Sequence, residues 1–348
     1  MLTRVPGFTQ EELDRSRRYH RPRYAATVGD LALTIAVLGA LTQGLPALPW
    51  WVGAAALPAR VATVLVAVRV PLGWWRYRRD LHWGLSTQTT REWARDLVKE
   101  TAIAVVLAAL ALWPFFALAH WFPFAWPWPA AVGAALLVFL LGFLAPVVLE
   151  PVFNRFEPLA DEQLARRLHA LAVEAGAPLR EILVADASRR TTRSNAYVSG
   201  IGRTRRLVLW DTLLANPPEE IAVVLAHELA HRTHRHVAAL TGCLMAGAAL
   251  LVVAIRVRFP HPAPGDTAGI VLLATLLQLA ATPALSGLSR SFERVADAES
   301  LRLTGDREAY RRLHRGLAVS NLADLHPPKW LYYWFFTHPT APDRLRDA

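Results

Sequence analysis

Cysteine is nearly absent, since Cys243 is the single thiol among 348 residues. One thiol cannot form an internal disulfide, and it excludes metal sites made of several cysteines. An N-terminal apolar segment of the secretory signal type is also lacking, because residues 3–24 are polar and rich in arginine. We therefore expect residues 1–25 to form a surface helix or arm.

Charge is present but unevenly distributed. Hydrophobic residues make up 53% of the chain, and the formal net charge is +10. This charge would suit a nucleic-acid-binding protein if it formed one basic face, but most Lys and Arg residues flank long apolar runs. That arrangement is typical of membrane proteins, whose basic residues contact anionic lipid headgroups. The composition predicts a protein that binds the lipid bilayer and no nucleic acid.

Six apolar segments are long enough to cross roughly 30 Å of hydrocarbon. They occupy residues 26–45, 50–72, 101–122, 129–149, 237–255 and 268–288. Two charged residues within them, Asp30 and Arg60, are costly in contact with lipid. We expect both to face the bundle interior or water, either paired with each other or as part of a hydrated cavity.

The charges of the connections predict an orientation. Residues 1–24 hold six arginines and residues 74–100 hold five arginines and one lysine, whereas 46–49 and 123–128 hold neither; 256–267, with two arginines, is a mild exception. Basic connections favour the cytoplasmic side. The predicted organisation is four transmembrane helices in 26–149 with a cytoplasmic loop at 74–100, two more in 237–288, and a cytoplasmic domain divided between 150–236 and 289–348.

The cytoplasmic regions carry mixed secondary-structure signals. A helix is predicted from Asp161 to Ala175, then a short strand at 182–184, and then a hairpin at 195–210 around a polar turn at 202–205. Another helix starts near Pro218, because proline and acidic residues suit a first helical turn. The predicted fold class is an all-α polytopic membrane protein with a cytoplasmic α+β domain.

The helix that starts near Pro218 carries His227-Glu228-Leu229-Ala230-His231. Two histidines four residues apart project from one face of a helix, where both imidazoles can bind one zinc ion. Glu228 can take a proton from a water molecule that the metal activates. The motif predicts one Zn²⁺ per chain and a metallopeptidase. The alternative is a pair of juxtamembrane histidines at a cationic helix end.

A zinc site with two histidines requires a third protein ligand and one open position. A third histidine at the spacing H-E-x-x-H-x-x-G-x-x-H is excluded, because a valine stands there. Glu293 and Asp297 lie one helical turn apart, so Glu293 can bind the zinc while Asp297 accepts a hydrogen bond from a ligand imidazole. Glu299 is a rival ligand on another face, and a solvated acidic helix face is the alternative. Two further histidines are expected to be interfacial: His234 and His236.

Further stretches, together with these motifs, resemble the type I CAAX prenyl protease family of integral-membrane zinc metallopeptidases. They are residues 149–159 (LEPVFNRFEPL), 194–197 (SNAY), 208–214 (VLWDTLL), 292–298 (FERVADA) and 337–339 (THP), with Arg344 downstream. The likeness runs from about residue 70 to the end in the same order. The HtpX-type membrane proteases are more distant relatives that share the zinc motifs but have fewer spans.

The resemblance implies a role for each matching residue. His227, His231 and Glu293 would be the zinc ligands, and Glu228 would be the general base. His338 would hydrogen-bond the oxyanion of the tetrahedral intermediate; the alternative is a histidine that caps the C-terminal segment.

Two more residues follow from the same likeness. Asn195 would bind the substrate backbone beside the hairpin edge, where an extended peptide can add as a strand; it is otherwise a turn residue. Arg344 would pair with Asp297 and tie the C-terminal segment to the metal site. The family's fold is a ring of transmembrane helices around a water-filled chamber, with a zincin-like peptidase domain. The family has seven spans and this sequence six, so closure of the chamber is an open question.

The predicted function is a membrane-embedded zinc metalloendopeptidase that acts on membrane-associated or prenylated peptides and proteins. The composition, rich in Ala, Arg and Leu, resembles proteins of high-GC bacteria, where prenylation is not expected. A broad quality-control protease of the bacterial plasma membrane is therefore an alternative. A catalytically inactive zinc-binding scaffold or sensor is another, although the intact Glu228 argues against it. A transporter built around Asp30 and Arg60 would leave the zinc motif unexplained.

Overall fold

A computed structural model describes residues 5–200 and 205–347, apart from the side chains at positions 146 and 147. Within these ranges the chain is mostly helical, with one small sheet. The predicted polar turn at 202–205 lies, except for its last residue, outside the described residues. The helices in chain order are α1 (Gln10–Leu41), α2 (Trp50–His82), α3 (Thr90–Trp121), α4 (Pro127–Leu144), α5 (Glu150–Phe153), α6 (Glu162–Glu174), α7 (Pro218–Thr233), α8 (His236–Arg258), α9 (Thr267–Thr304), α10 (Arg307–Ser320), α11 (Lys329–Phe335) and α12 (Ala341–Asp347).

Six helices within the described ranges are long and apolar enough to cross a membrane: α1, α2, α3, α4, α8 and α9. Each of them overlaps one predicted segment: α2, α8 and α9 contain theirs, whereas α1, α3 and α4 end before theirs do, at residues 41, 121 and 144. Helix α1 begins ten residues into the chain, after a capping box formed by Thr9 and Glu12. The predicted N-terminal arm and the first span are therefore one helix. Helices α2 and α3 likewise take up most of the predicted loop at 74–100.

Asp30 does not pair with Arg60, contrary to one of the two expectations. Its carboxylate lies 2.9 Å from Arg69 Nε and 3.3 Å from Arg76 Nη1, and Arg69 also donates a hydrogen bond to Thr34. Arg69 and Arg76 are seven residues apart, so they lie on one face of α2. Arg60 is exposed and makes no hydrogen bond or ion pair with a described residue. The charges that hold α1 against α2 are thus those of Asp30 and the two arginines.

The described sheet has four strands: β1 (Phe156–Pro158), β2 (Glu181–Ala185), β3 (Ala196–Ser199) and β4 (Arg206–Trp210). Their order is β1-β2-β4-β3, with β2 and β4 parallel and β3 antiparallel to β4. Along β4, Leu207 and Leu209 pack with leucines of α6 and α7, and Val208 faces the other side. This alternation fixes the register of the sheet on the helices. It also leaves β3 as an edge strand.

Helix α9 joins the membrane region to the second cytoplasmic region without a break. Its 38 residues extend about 57 Å at 1.5 Å per residue, well beyond the hydrocarbon thickness of roughly 30 Å. Buried residues recur on one face of its C-terminal half, namely Arg290, Glu293, Ala296, Asp297 and Ser300. An apolar cavity of about 840 Å³ opens between α3, α4, α8 and the membrane half of α9. The same helix therefore lines a membrane cavity and carries the predicted carboxylate ligand.

The ion pairs of Asp30 lead to a prediction about stability. We expect Asp30→Asn to lower the thermal unfolding midpoint in detergent by several degrees, because two arginines would lose their acceptor at a cost of about 1–3 kcal/mol. Arg60→Gln is the matched control and should leave the midpoint unchanged. Equal midpoints for Asp30→Asn and the wild type would show that the pairs contribute nothing to stability.

Candidate metal centre

Helix α7 is built to hold two histidines rigidly. Pro218 occupies its first turn with Glu219 and Glu220, where a fixed φ and negative charge favour a helix start. Leu225 and Leu229 are fully buried against the sheet and α6. Because one face of α7 is fixed by this packing, the face that carries the two histidines is turned towards α9.

Three side chains converge between α7 and α9. His227 Nε2 and His231 Nε2 lie 3.2 Å apart. The Glu293 carboxylate lies 3.3 Å from each of them, through Oε2 to His227 and through Oε1 to His231. The three donors form the one group of three or more metal-binding side chains found within the described ranges. The predicted ligands are therefore brought together by the fold.

The size of this triangle fits a tetrahedral zinc site. Nitrogen or oxygen ligands about 2.0–2.1 Å from zinc at tetrahedral angles lie about 3.3–3.4 Å from one another. The two imidazole nitrogens, 3.2 Å apart, agree with that spacing, and so does the 3.3 Å from each nitrogen to the nearer oxygen of Glu293, which faces each histidine with a different oxygen. Two imidazoles and one carboxylate also leave the fourth position for water or substrate. The donor set and its geometry thus suit a catalytic zinc ion.

The electrostatic environment favours positive charge at His227. Burial acts to lower the pKa of His227, but interactions with Asp297 and Glu293 outweigh it and raise the pKa to about 9. A site whose carboxylates stabilise a charged imidazole in this way also stabilises a divalent cation.

Glu228 lies beside the triangle. It is half-buried and makes no hydrogen bond or ion pair with a described residue. Burial raises its pKa, and the neighbouring histidines act in the opposite direction. A carboxylate with a raised pKa and free oxygens can accept a proton near neutral pH. It is the arrangement that a general base requires.

Asp297 and Arg344 form a second layer behind the ligands. Asp297 Oδ1 lies 3.0 Å from His227 Nδ1, and its Oδ2 lies 3.0 Å from Arg344 Nε. Arg344 Nη2 also lies 2.6 Å from Glu293 Oε2, a contact that the sequence did not indicate. On its other side, Arg344 contacts the buried His314 of α10 at 3.3 Å. The arginine therefore fixes the carboxylate ligand as well as the partner of a histidine ligand.

His338 faces the triangle from the C-terminal segment. Its Nε2 lies 3.4 Å from Glu293 Oε1, and its side chain is 62% exposed, so it can meet a ligand that enters the site. The buried Arg290 of α9 holds this segment by donating to the backbone carbonyl oxygens of Tyr332 and Phe336 at 3.1 and 2.5 Å. Sequence reasoning missed Arg290, although an arginine one turn before Glu293 on the same helix face is a visible signal.

His236 is a second residue that sequence reasoning missed, because it was expected to be interfacial. It is 6% exposed, and its Nδ1 lies 3.2 Å from Nδ1 of His231. Its ring stacks on Phe292 at 4.3 Å between centroids. Arg235, with φ of 57°, interrupts the helix between α7 and α8 and returns His236 towards the site. Each histidine ligand therefore has a polar partner on its outer nitrogen.

Two other predicted residues lie outside the triangle. Asn195 is exposed at the start of the edge strand β3, and its carbonyl oxygen accepts a hydrogen bond from Trp210 N. Arg232 of α7 donates to the carbonyl oxygen of Val198, which fixes this strand beside the metal helix. Glu299, the rival ligand, instead binds Arg302 at 2.6 Å.

The family models that match this chain are those of membrane metallopeptidases, as the geometry of the site suggests. Residues 158–348 match the family model of peptidase family M48, and residues 6–155 match the model described as CAAX prenyl protease N-terminal, five membrane helices. The described part of that second stretch contains four of the six apolar helices. Together the two models cover nearly the whole chain.

Individual proteins that are similar to this chain are also named as proteases. An uncharacterized metalloprotease, YhfN of Bacillus subtilis (strain 168), is 32% identical over 83% of this chain and 71% of its own length. CAAX prenyl protease 1 of Saccharomyces cerevisiae is 27% identical over 82% of this chain and 69% of its own. The crystal structure of S. mikatae Ste24p has the same fold, with a TM-score of 0.85, 24% identity and coverage of 99% and 90% of the two chains. The chain therefore belongs to peptidase family M48 and is a multi-pass membrane metallopeptidase.

Proposed function

We propose that this protein is a zinc metalloendopeptidase with His227, His231 and Glu293 as zinc ligands. The observation that carries the proposal is the convergence of two imidazole nitrogens 3.2 Å apart with a carboxylate 3.3 Å from each, and Glu228 beside them makes no hydrogen bond with a described residue. A bound zinc ion would polarise the scissile carbonyl and lower the pKa of the attacking water. The chain's own residues supply the proton transfer, the oxyanion contact and the orientation of the ligands.

Glu228 is the proposed general base. It takes the proton of the attacking water and delivers it to the leaving amine, so the same carboxylate serves both halves of the reaction. His338 is the proposed oxyanion donor. Its Nδ1 lies 2.8 Å from the hydroxyl of Thr337. If that hydroxyl donates, the ring proton is on Nε2, which faces the site, and Nε2 can hydrogen-bond the developing oxyanion.

The outer partners of the ligands set their tautomers. Asp297 Oδ1, 3.0 Å from His227 Nδ1, favours a proton on that nitrogen, which would leave the lone pair of Nε2 for the metal. His236 does the same for His231 through the contact between their Nδ1 atoms. Arg344 keeps both acidic side chains, Glu293 and Asp297, ionised and in place.

The substrate is a peptide or protein, as for other proteases of the family. We infer that it binds in extended form along the edge strand β3, with Asn195 as a contact to its backbone. Membrane-associated substrates are favoured, because α9 lines the apolar membrane cavity with one half and carries Glu293 on the other. The name of the yeast relative makes a prenylated C-terminal peptide the first candidate to test. The arginine-rich connections support a cytoplasmic position for the site.

Glu228→Gln tests the base. We expect it to slow cleavage at least about 100-fold while the zinc content stays at one per chain, because the side chain is not a ligand. Cleavage of one peptide in farnesylated and unmodified form is followed by chromatography, and zinc by plasma mass spectrometry. Glu299→Gln is the matched control and should cleave at the wild-type rate. Equal cleavage by Glu228→Gln and the wild type would refute the base role, and zinc without cleavage in the wild type would favour a sensor.

Glu293→Gln tests the third ligand. We expect the purified variant to lose most of its zinc after dialysis against a mild chelator, because a neutral amide replaces the anionic ligand. Glu299→Gln, on the same helix, should retain its zinc. Loss of zinc from the Glu299 variant, with retention in the Glu293 variant, would reverse the assignment of the ligand.

His236→Leu tests the partner of His231. We expect the zinc affinity, measured by competition with a chromophoric chelator, to fall about 10–100-fold, the usual cost of losing an outer hydrogen-bond partner. His234→Leu removes an exposed neighbour and should leave the affinity unchanged. A purely packing role for His236 predicts lower thermal stability with unchanged zinc affinity, and that result would contradict the proposal.

A further inference from the structure

A polar pocket of about 240 Å³ lies between the first turns of α3 and the segment that follows α4. None of its lining residues belongs to the metal centre. Five cations and two anions line it, which leaves a formal charge of +3. The cations come from a membrane helix and from the sheet domain: Arg95, Lys99, Arg155, Arg189 and Arg190.

The two acidic residues of the pocket are already engaged. Asp96 accepts from Arg190 Nε at 2.8 Å and from Gln88 at 2.7 Å. Glu92 accepts from the backbone N–H of Thr89 at 2.8 Å, as the second half of a helix capping box. Glu92 also interacts electrostatically with Arg95 and Arg189, and an excess of three positive charges remains after both carboxylates are counted.

Three of the cations have unused donors. Arg95 and Arg155 are exposed, and their guanidinium groups make no hydrogen bond or ion pair with a described residue. The ammonium group of Lys99 donates one hydrogen bond to the carbonyl oxygen of Val152 at 2.8 Å, and its two other N–H donors remain available. Guanidinium and ammonium donors that converge on a small polar pocket are the usual means of binding a phosphate group.

The pocket lies at the edge of the predicted hydrocarbon region. Lys99 comes directly before the apolar segment 101–122, and residues 151–153 come directly after the segment 129–149. Val152, which lines the pocket, is 40% exposed, and two valines close to lining residues in the sequence, Val98 and Val148, are 68% and 53% exposed. Exposed valines next to a cationic pocket are what a phospholipid requires, with its acyl chains on the valines and its headgroup in the pocket.

We propose that this pocket binds the phosphate group of an anionic phospholipid. The headgroup bridges two parts of the molecule, because Arg95 and Lys99 belong to α3 whereas Arg189 and Arg190 follow β2. A bound lipid therefore fixes the sheet domain, and with it the edge strand, relative to the membrane helices. The free phosphate ion shares the charge of the headgroup, but it makes no use of the exposed valines.

Native mass spectrometry of the full-length protein in detergent tests the site, with phosphatidylglycerol or phosphatidylcholine added in steps. We expect wild type to retain phosphatidylglycerol preferentially, and Arg95→Gln/Arg155→Gln to raise its dissociation constant at least tenfold. The matched control, Arg91→Gln/Arg180→Gln, removes two exposed arginines outside the pocket and should bind as wild type does. If the double pocket variant cannot be purified, its two single variants should each weaken binding relative to the control.

Two results would overturn the proposal. Equal retention of phosphatidylglycerol by the three proteins would show that the pocket does not bind lipid. Equal retention together with binding of inorganic phosphate that only the pocket variant loses would assign the pocket to a free anion. Matching thermal unfolding midpoints of the pocket and control variants show that a weaker retention does not come from unfolding.

Discussion

The carboxylate of Glu293 is the group on which the arrangement of the site depends. Its side chain is only 6% exposed, and a buried carboxylate is costly unless cations or hydrogen-bond donors surround it. Here the partners come from two distant parts of the chain, the two histidines of α7 and the C-terminal His338 and Arg344. If any one of these four partners is removed, the remaining three compensate the negative charge of Glu293 only in part. The need to satisfy this one charge thus ties the end of the chain to the metal helix.

The same carboxylate links the site to the membrane, because it lies on a helix that continues into the bilayer region. In α9, Glu293 and the cavity-lining residues belong to one continuous helix, with Pro283 between them, where one backbone hydrogen bond of the helix is missing. Arg290, three residues earlier, anchors the segment that presents His338. A substrate that enters from the membrane side would therefore meet Glu293, and Arg290 that positions the facing segment, on the helix that also lines the membrane cavity.

The sequence was sufficient where the determining geometry is local. The spacing of His227 and His231 and the turn between Glu293 and Asp297 are properties of single helices, and apolar runs of membrane length identify the spans. It was insufficient where two elements meet. Which arginine reaches Asp30 depends on how far α1 is shifted along α2. The pattern of apolar and polar residues within each helix does not determine that shift. His236 was expected to be interfacial, because nothing in the sequence shows that Arg235 takes a left-handed backbone and returns the next helix towards the site.

Charge balance explains why the two histidine ligands have unlike partners. Under the proposed assignment, a divalent cation and Arg344 supply three positive charges, and the carboxylates of Glu228, Glu293 and Asp297 supply three negative ones; Arg232, which interacts with Glu228, lies outside this group and donates to the carbonyl oxygen of Val198. A buried group of charges that balance avoids most of the cost of desolvation. A carboxylate behind His231 would change this balance, whereas the neutral imidazole of His236 orients His231 without changing it. The choice of a histidine at this position is therefore electrostatic as well as geometric, and it leaves Glu228 as the group whose proton can move.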